Sequence, residues 1–497
     1  MSLHAPDPCA SATQLIAALD VREVSARELA DLYIERIERL DGRINAVVVR
    51  DFERARAAAD ASDRRRAEGS AGRLDGLPMT IKESFNVSGL PTSAGIVAAK
   101  GFVSAHDALV VARARAAGAV VLGKTNVPVM LSDWQSANPI YGRTANPWDF
   151  SLTPGGSSGG SAAAIACGFS ALEIGSDIGG SIRVPSAYCG VFGHRPSDSA
   201  LPRSGQFPAP PTAIHAMLLG VQGPIARSAT DLELALDVLA GAELSEAPAW
   251  RIDWPAPRQT RLDRWRVGVL RTPDWVPVEP AIAAALDRFA ADVAKTGAHV
   301  GDASPVADTQ WRDAYRLYNQ LLGAIIGARM MPEARAIDIA ALERHGDEFA
   351  LAYVEGLRAS VAQFFGWLVE RERLRAAWRS LFEAWDVVVA PAILRQPYAH
   401  VPFEGSPIAA SAGLEIEVDG RRVPYGRPTF HPALATLPGL PATAIPVGAD
   451  ARGLPIGLQL IGPYLEDRST IALAIQLERE GLARYRTPPG FETVAGR

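Results

Sequence analysis

This sequence predicts an α/β fold, on three observations. Stretches with apolar residues at helical spacing alternate with short apolar runs bounded by glycine or proline, the pattern of a sheet covered by helices. The chain has 497 residues, ample for a large core in two or three domains or in one large α/β unit. Its 48% hydrophobic and 21% charged residues are ordinary for a globular protein, so neither disorder nor a fibrous repeat competes with that reading. The alternation itself favours a largely parallel sheet.

TQLIAALD and SARELADLYIERIERLDGRINAV read as helices, with Ser25 as N-cap of the second. DFERARAAADASDRRRAEG continues as a polar, charged helix, and AGRLDG is a turn. LPMTIKESFNV, a short apolar run around Lys82, reads as a buried strand. DALVVARARAAG is a helix, and AVVLGKTN a strand ending in a loop. Residues 131–150 are loop-rich and carry Leu131, Trp134, Tyr141 and Trp148. SAAAIACGF and SATDLELALDVLAG are helical, and the Pro-, Trp- and Arg-rich segment 243–262 is a surface connection. RWRVGVLR is a strand, PAIAAALDRFAADVAKTG a helix, and residues 308–385 are mostly helical. DVVVAP, PATAIPVG and PIGLQLIGP are further buried strands before a last helix, STIALAIQLEREGLA. No internal repeat or low-complexity tract is present.

Composition excludes several function classes. A formal net charge of −5 provides no basic field for nucleic acid or an anionic membrane. The three cysteines, Cys9, Cys167 and Cys189, are too scattered for a disulfide framework and lack metal-ligand spacing, which fits a reducing cytoplasm. The opening MSLHAPDPCASATQ has no basic and then apolar pattern of a secretory signal, and no apolar run reaches the ~20 residues of a membrane span. A soluble cytoplasmic protein is expected.

Lysine occurs only at Lys82, Lys100, Lys124 and Lys295, in a chain that otherwise uses arginine. A guanidinium cannot act as a base in water, whereas a buried ammonium can lose its proton. Lys100 and Lys295 sit in helix-end contexts and read as surface residues. Lys82, in a buried strand, is the candidate base.

Residues 151–185, SLTPGGSSGGSAAAIACGFSALEIGSDIGGSIRVP, hold two Gly-Gly-Ser units and three candidate nucleophiles, Ser157, Ser158 and Ser181. A phosphate loop is a weak reading, because no Gly-Lys-Ser/Thr closes the run, and a dinucleotide fingerprint needs a strand that NPWDFSLTP does not supply. Residues 155–159 match G-x-S-x-G, but a nucleophile elbow also needs that strand and a later histidine, for which His400 and His431 are the candidates. In the third reading serine pairs with lysine: desolvation lowers the pKa of Lys82, and the small residues of EIGSDIGGSIRVP let a carbonyl approach backbone N–H donors.

At these positions the sequence resembles the amidase signature family. PGGSSGGSAAAIACGFSALEIGSDIGGSIRVPSAYCGVFG follows that family's signature almost position by position, and the Lys82 strand, GKTNVP, NPIYGRTANPW, QGPIARSATDLELALDVLAG and GLPIGLQLIGP look like its other blocks. The resemblance spans about residues 12–485 and is weakest between 243 and 425. It implies a single large α/β domain with a mixed central β-sheet covered by helices on both faces. Within it lie an N-terminal helical segment (1–70), a catalytic domain (71–485) with a less typical helical, substrate-shaping region at about 243–430, and a C-terminal tail (486–497). It implies a Ser–cis-Ser–Lys triad: Ser181 as nucleophile, Ser157 as bridging serine after a cis peptide bond, Lys82 as base. Ser158 is then a supporting serine; the backbone of Ile178, Gly179, Gly180 and Ser181 forms the oxyanion hole, and Asp177 and Arg183 brace it. No metal or organic cofactor is implied. Where the family often reads Gly-Leu-Lys-Pro-Thr, this chain has Gly193-His194-Arg195-Pro196-Ser197. Lys124 is expected to be structural.

The expected function is therefore amide hydrolysis by a stand-alone enzyme, a monomer or homodimer with no nucleic-acid or membrane partner. One alternative is the glutamine-hydrolysing amidase subunit of a tRNA-dependent amidotransferase; another is a Ser-His-Asp α/β-hydrolase. VPVMLSDWQSA and AMLLGVQGP stand where amidotransferase subunits usually carry a more acidic segment and a Ser-Leu-Asp-Gln run, which favours the stand-alone enzyme. Leu131, Trp134, Tyr141, Phe403 and Phe430 are candidate pocket residues, suited to a hydrophobic or aryl amide, anilide or carbamate (urethane).

Overall fold

The short apolar runs become strands of one sheet. The structure is a computed structural model that describes residues 7–207, 218–303, 308–402 and 405–492. Its strands are β1 (Val47–Arg50), β2 (Pro78–Lys82), β3 (Val120–Thr125), β4 (Ala137–Asn138), β5 (Gly142–Arg143), β6 (Leu172–Asp177), β7 (Phe192–Arg195) and β8 (Val221–Ala226). They continue as β9 (Arg266–Val269), β10 (His299–Asp302), β11 (Val387–Pro391), β12 (Glu415–Val418), β13 (Arg421–Pro424), β14 (Ala442–Ala449) and β15 (Pro455–Ile461). Eleven of them form a single sheet in the order β1-β3-β2-β6-β8-β7-β14-β15-β11-β9-β10, while β4-β5 and β12-β13 are separate pairs.

The sheet is mixed, not largely parallel. β2 runs parallel to β3 and β6, and β9 parallel to β10 and β11. The centre is antiparallel, from β6-β8 through β8-β7, β7-β14 and β14-β15 to β15-β11. Connection length explains part of this: a tight turn at Gly453 (φ +87°) joins β14 to β15, and so short a link permits only antiparallel pairing.

Both faces of the sheet are buried. In β11, Val387 and Val389 join one apolar cluster, and Val388 and Ala390 another. Successive side chains of a strand point to opposite faces, so two cores sandwich the sheet. Helices Ala26–Leu40 and Gly159–Ala166 contribute to the first core. Helix Asp308–Gly327 contributes to the second.

Most sequence-predicted elements are present, and Ser25 caps its helix through a reciprocal pair with Glu28. That helix ends at Leu40 rather than continuing through RINAV. The Asp41 carboxylate accepts from the N–H groups of Ala46 (2.7 Å) and Val47 (3.1 Å), closing a turn that releases the chain into β1. No helix among the described residues is long and apolar enough to cross a membrane.

Candidate active site

Lys82 ends β2 and is fully buried. Its Nζ lies 2.7 Å from Ser157 Oγ, 2.8 Å from Ser158 Oγ and 2.9 Å from Ser176 Oγ. Burial pulls the lysine down to about 7, while Asp177 and Glu173 push the other way. Near neutral pH the amine is therefore divided between its two protonation states. Glu173 is itself pushed up to about 8 by burial, although it accepts from Thr80, Thr125 and Ser161.

The two Gly-Gly-Ser units meet at this lysine. Ser157 follows a cis Gly156–Ser157 peptide bond, and helix Gly159–Ala166 starts two residues later. A Cβ at Gly156 would fall 2.4 Å from the Asp133 carbonyl oxygen, so only glycine allows that approach. Ser181 lies between β6 and helix Arg183–Cys189, and its carbonyl accepts from the Ser158 N–H at 3.1 Å. That bond ties the nucleophile candidate's loop to the turn carrying the other two serines.

Asp177, at the end of β6, organises the loop. Its carboxylate accepts from Gly180 N–H (2.9 Å), Ile182 N–H (3.1 Å) and both arms of Arg183 (2.9 and 3.0 Å). Burial alone would raise this carboxyl, but the Arg183 guanidinium holds it well below the usual carboxylate range. Arg183 is anchored in turn by Gln459, Pro432 and Thr436. The pair acts as a brace behind the loop. Of the four backbone donors expected at the oxyanion hole, Gly180 N–H is engaged by Asp177; Ile178, Gly179 and Ser181 line the cavity. On the cavity side, Tyr318 Oη donates to Ile178 O (3.1 Å) and Trp134 Nε1 to Gly179 O (3.4 Å).

Ser157, Ser176 and Ser181 open onto a cavity of about 270 Å³. Its other walls are mostly apolar and aromatic, including Trp134, Tyr318, Leu322, Ile326, Phe349 and Tyr353. Of the candidate pocket residues, Leu131 and Trp134 line it, whereas Tyr141 and Phe430 pack elsewhere. Tyr141 Oη donates to Glu83 (3.3 Å) while the ring rests on the first core. Phe430 sits edge-on to Trp275 and Tyr315 in the second core, too well covered to reach a ligand. Phe403 lies outside the described residues.

The histidine alternatives have other partners. His431 Nε2 lies 2.9 Å from Thr272 Oγ1, and burial pulls its ring down to about 3. His400 Nε2 is 3.1 Å from Thr144 O. No strand immediately precedes residues 155–159, so the elbow geometry is not formed. Lys124 is buried against Pro91 O and Thr92 Oγ1 (2.9 Å), a structural setting. Among the described residues no group of three or more His, Cys, Asp or Glu could hold a metal ion.

Two members of the cluster escape the sequence reading. Ser176 is a third hydroxyl on Lys82, and Gln206 Nε2 donates to it at 2.8 Å. Ser176 lies inside the quoted signature, but nothing in its spacing ranks it. Gln206 comes from a loop 30 residues further along the chain, so it carries no local signal.

A family model described as Amidase matches residues 28–471. An indoleacetamide hydrolase of Bradyrhizobium diazoefficiens is 32% identical over 96% of this chain and 87% of its own length. A glutamyl-tRNA(Gln) amidotransferase subunit from Chromobacterium violaceum is 30% identical over 95% of this chain and 97% of its own. The crystal structure of a bacterial aryl acylamidase of the amidase signature enzymes superposes with a TM-score of 0.76 at 26% identity, covering 96% of this chain and 97% of that one.

Proposed function

The chain belongs to the amidase family, and from that membership we propose that it hydrolyses carboxylic amides through a Ser181 acyl-enzyme, with Ser157 as relay and Lys82 as base. One observation carries the reading: a fully buried Lys82, held near neutrality, contacts Ser157 at the head of a cavity that Ser181 also lines.

Neutral Lys82 takes the proton of Ser157 as Ser157 takes that of Ser181, whose oxygen then attacks the amide carbonyl. The tetrahedral oxyanion is held by the N–H groups of Ile178, Gly179 and Ser181, donors fixed before the reaction begins by the Asp177–Arg183 brace. The relay then runs in reverse and protonates the leaving nitrogen, and water hydrolyses the acyl-enzyme. Ser158 and Ser176 keep the Lys82 amine oriented, and Gln206 orients Ser176.

For the substrate we propose a hydrophobic or aryl amide, anilide or carbamate. The apolar, aromatic cavity supports this class, as do the names of two relatives, an indoleacetamide hydrolase and an aryl acylamidase. The relative from an amidotransferase motivates a second reading, in which glutamine is hydrolysed only within a complex. A screen over aryl amides, primary amides, esters, carbamates and glutamine, with Ser181→Ala as blank, tests both. Turnover of an aryl amide by the isolated chain is expected; glutamine hydrolysis only with a co-purifying partner would overturn it.

A further inference from the structure

Asp133 has no part in the acyl-transfer chemistry, yet it lines the same cavity as Ser157 and Ser181. Oδ1 accepts from Tyr425 Oη (2.7 Å) and Trp134 N–H (2.7 Å), and Oδ2 accepts from Gln135 Nε2 (3.1 Å). The Gln135 backbone N–H also faces this carboxylate, so every donor around it is neutral. Tyr425 is held in turn by Gln135 Nε2 and Tyr398 Oη, each at 2.9 Å, which makes the carboxylate a fixed acceptor. Its backbone is fixed too, because the Asp133 carbonyl packs against Gly156, next to Ser157.

What Asp133 lacks is a counter-ion. None of the ion pairs among the described residues includes it, and the arginine of this cavity, Arg427, pairs with Asp347 instead. Burial pushes the Asp133 carboxyl up to about 7, although the Tyr425 hydroxyl favours its charged form. A buried carboxylate held only by neutral donors still lacks a compensating charge. A bound cationic N–H donor would supply it, and a neutral one would supply less.

We propose that Asp133 is a recognition residue for an N–H donor, ammonium or amide, that the substrate carries beyond its scissile carbonyl. The proposal rests on the reading of this cavity as the amide site, and it narrows the substrate to apolar or aryl amides with a second nitrogen. A purely structural role for Asp133, tying the 133–135 loop to Tyr425, predicts no such preference.

The test measures binding to the Ser181→Ala protein by calorimetry, so it needs no turnover; failure of the hydrolytic reading would appear separately, as absent hydrolysis by the unaltered enzyme. Three probes share one skeleton: 3-phenylpropanamide without a donor at the second carbon, phenylalaninamide with an ammonium there, and N-acetylphenylalaninamide with a neutral N–H. Phenylalaninamide is expected to bind about ten- to a hundredfold tighter than 3-phenylpropanamide, the range of a charge-assisted hydrogen bond. The N-acetyl probe tells whether a neutral donor suffices. Adding Asp133→Asn, which keeps the shape and removes the charge, should bring the ratio to about one. Equal affinities with Asp133 intact, no binding by any probe, or a ratio that survives Asp133→Asn each overturns the proposal. The first two need no change at Asp133, so they decide the matter even if that variant fails to fold.

Discussion

Acidification should silence this enzyme by protonating Lys82. Burial is the largest influence on the amine and brings it to about 7, against the upward pull of Asp177 and Glu173. Of these two, Asp177 stays charged because Arg183 holds it low, and Glu173, at about 8, is uncharged through the acid limb. The neutral, base-competent fraction of Lys82 is then about one half at pH 7, one tenth at pH 6 and one hundredth at pH 5. The assay is kcat/KM from pH 5 to 9 for an aryl amide with no titrating group. It should climb with unit slope to a midpoint near 7 and then level off. Asp133 titrates in the same window, so the profile is repeated with Asp133→Asn, where the limb should persist. Lys82→Arg keeps a cation that cannot deprotonate, and activity should fall on the order of 10²–10⁴-fold across the whole range. A profile peaking near pH 5, or a limb of normal height in Lys82→Arg, would show that another group is the base.

Ser181→Ala should lower kcat on the order of 10⁴–10⁶-fold with the circular dichroism spectrum unchanged; turnover near the parent's would sink the nucleophile assignment. Gly180→Ala puts a Cβ 2.6 Å from Pro432 Cγ at a φ of +97°. It should cost about 1–3 kcal/mol in urea unfolding and lower kcat by displacing the loop, and a silent variant would refute the packing argument. Arg183→Met removes the cation hydrogen-bonded to the buried Asp177 and leaves only Arg195, 3.9 Å away. A loss of about 3–5 kcal/mol is expected, and an unchanged urea midpoint would count against the brace.

Local chemistry decides what the sequence can reveal. Helices with a cap and a clear apolar stripe are readable, as Ser25 with its helix shows, and so are strands buried on both faces, such as LPMTIK. β6 is hidden because LEIGSD places two buried carboxylates, Glu173 and Asp177, in the strand, and Glu173 owes its burial to Thr80 and Thr125 from distant segments. β12 and β13 escape notice because half of their residues are exposed and charged. At the site, the pairing of Lys82 with Ser157 follows from the rarity of lysine and the doubled Gly-Gly-Ser unit. Gln206 and Asp133 do not, since each owes its position to tertiary packing alone.

The His194-Arg195 departure from the family pattern has a physical account in the charges behind the loop. Arg195 is fully buried: it donates to Leu219 O (2.8 Å), Leu440 O (2.9 Å) and Asp198 (3.1 Å), and its Nε lies 3.9 Å from Asp177 Oδ1. A lysine there would offer one point charge where the guanidinium spans several acceptors. Arg371 reaches the far oxygen of Asp198, so two carboxylates and three guanidiniums form a closed set beneath the site. His194 bridges Thr443 (2.9 Å) and Asp467 (3.2 Å), joining β7 to the last helix, Asp467–Arg479. Neither residue lines the cavity. Arg195 reaches the loop through Asp177, whose carboxylate fixes the Gly180 N–H beside Ser181, so it bears on how rigidly that loop is held rather than on what the cavity admits, while His194 ties β7 to the last helix.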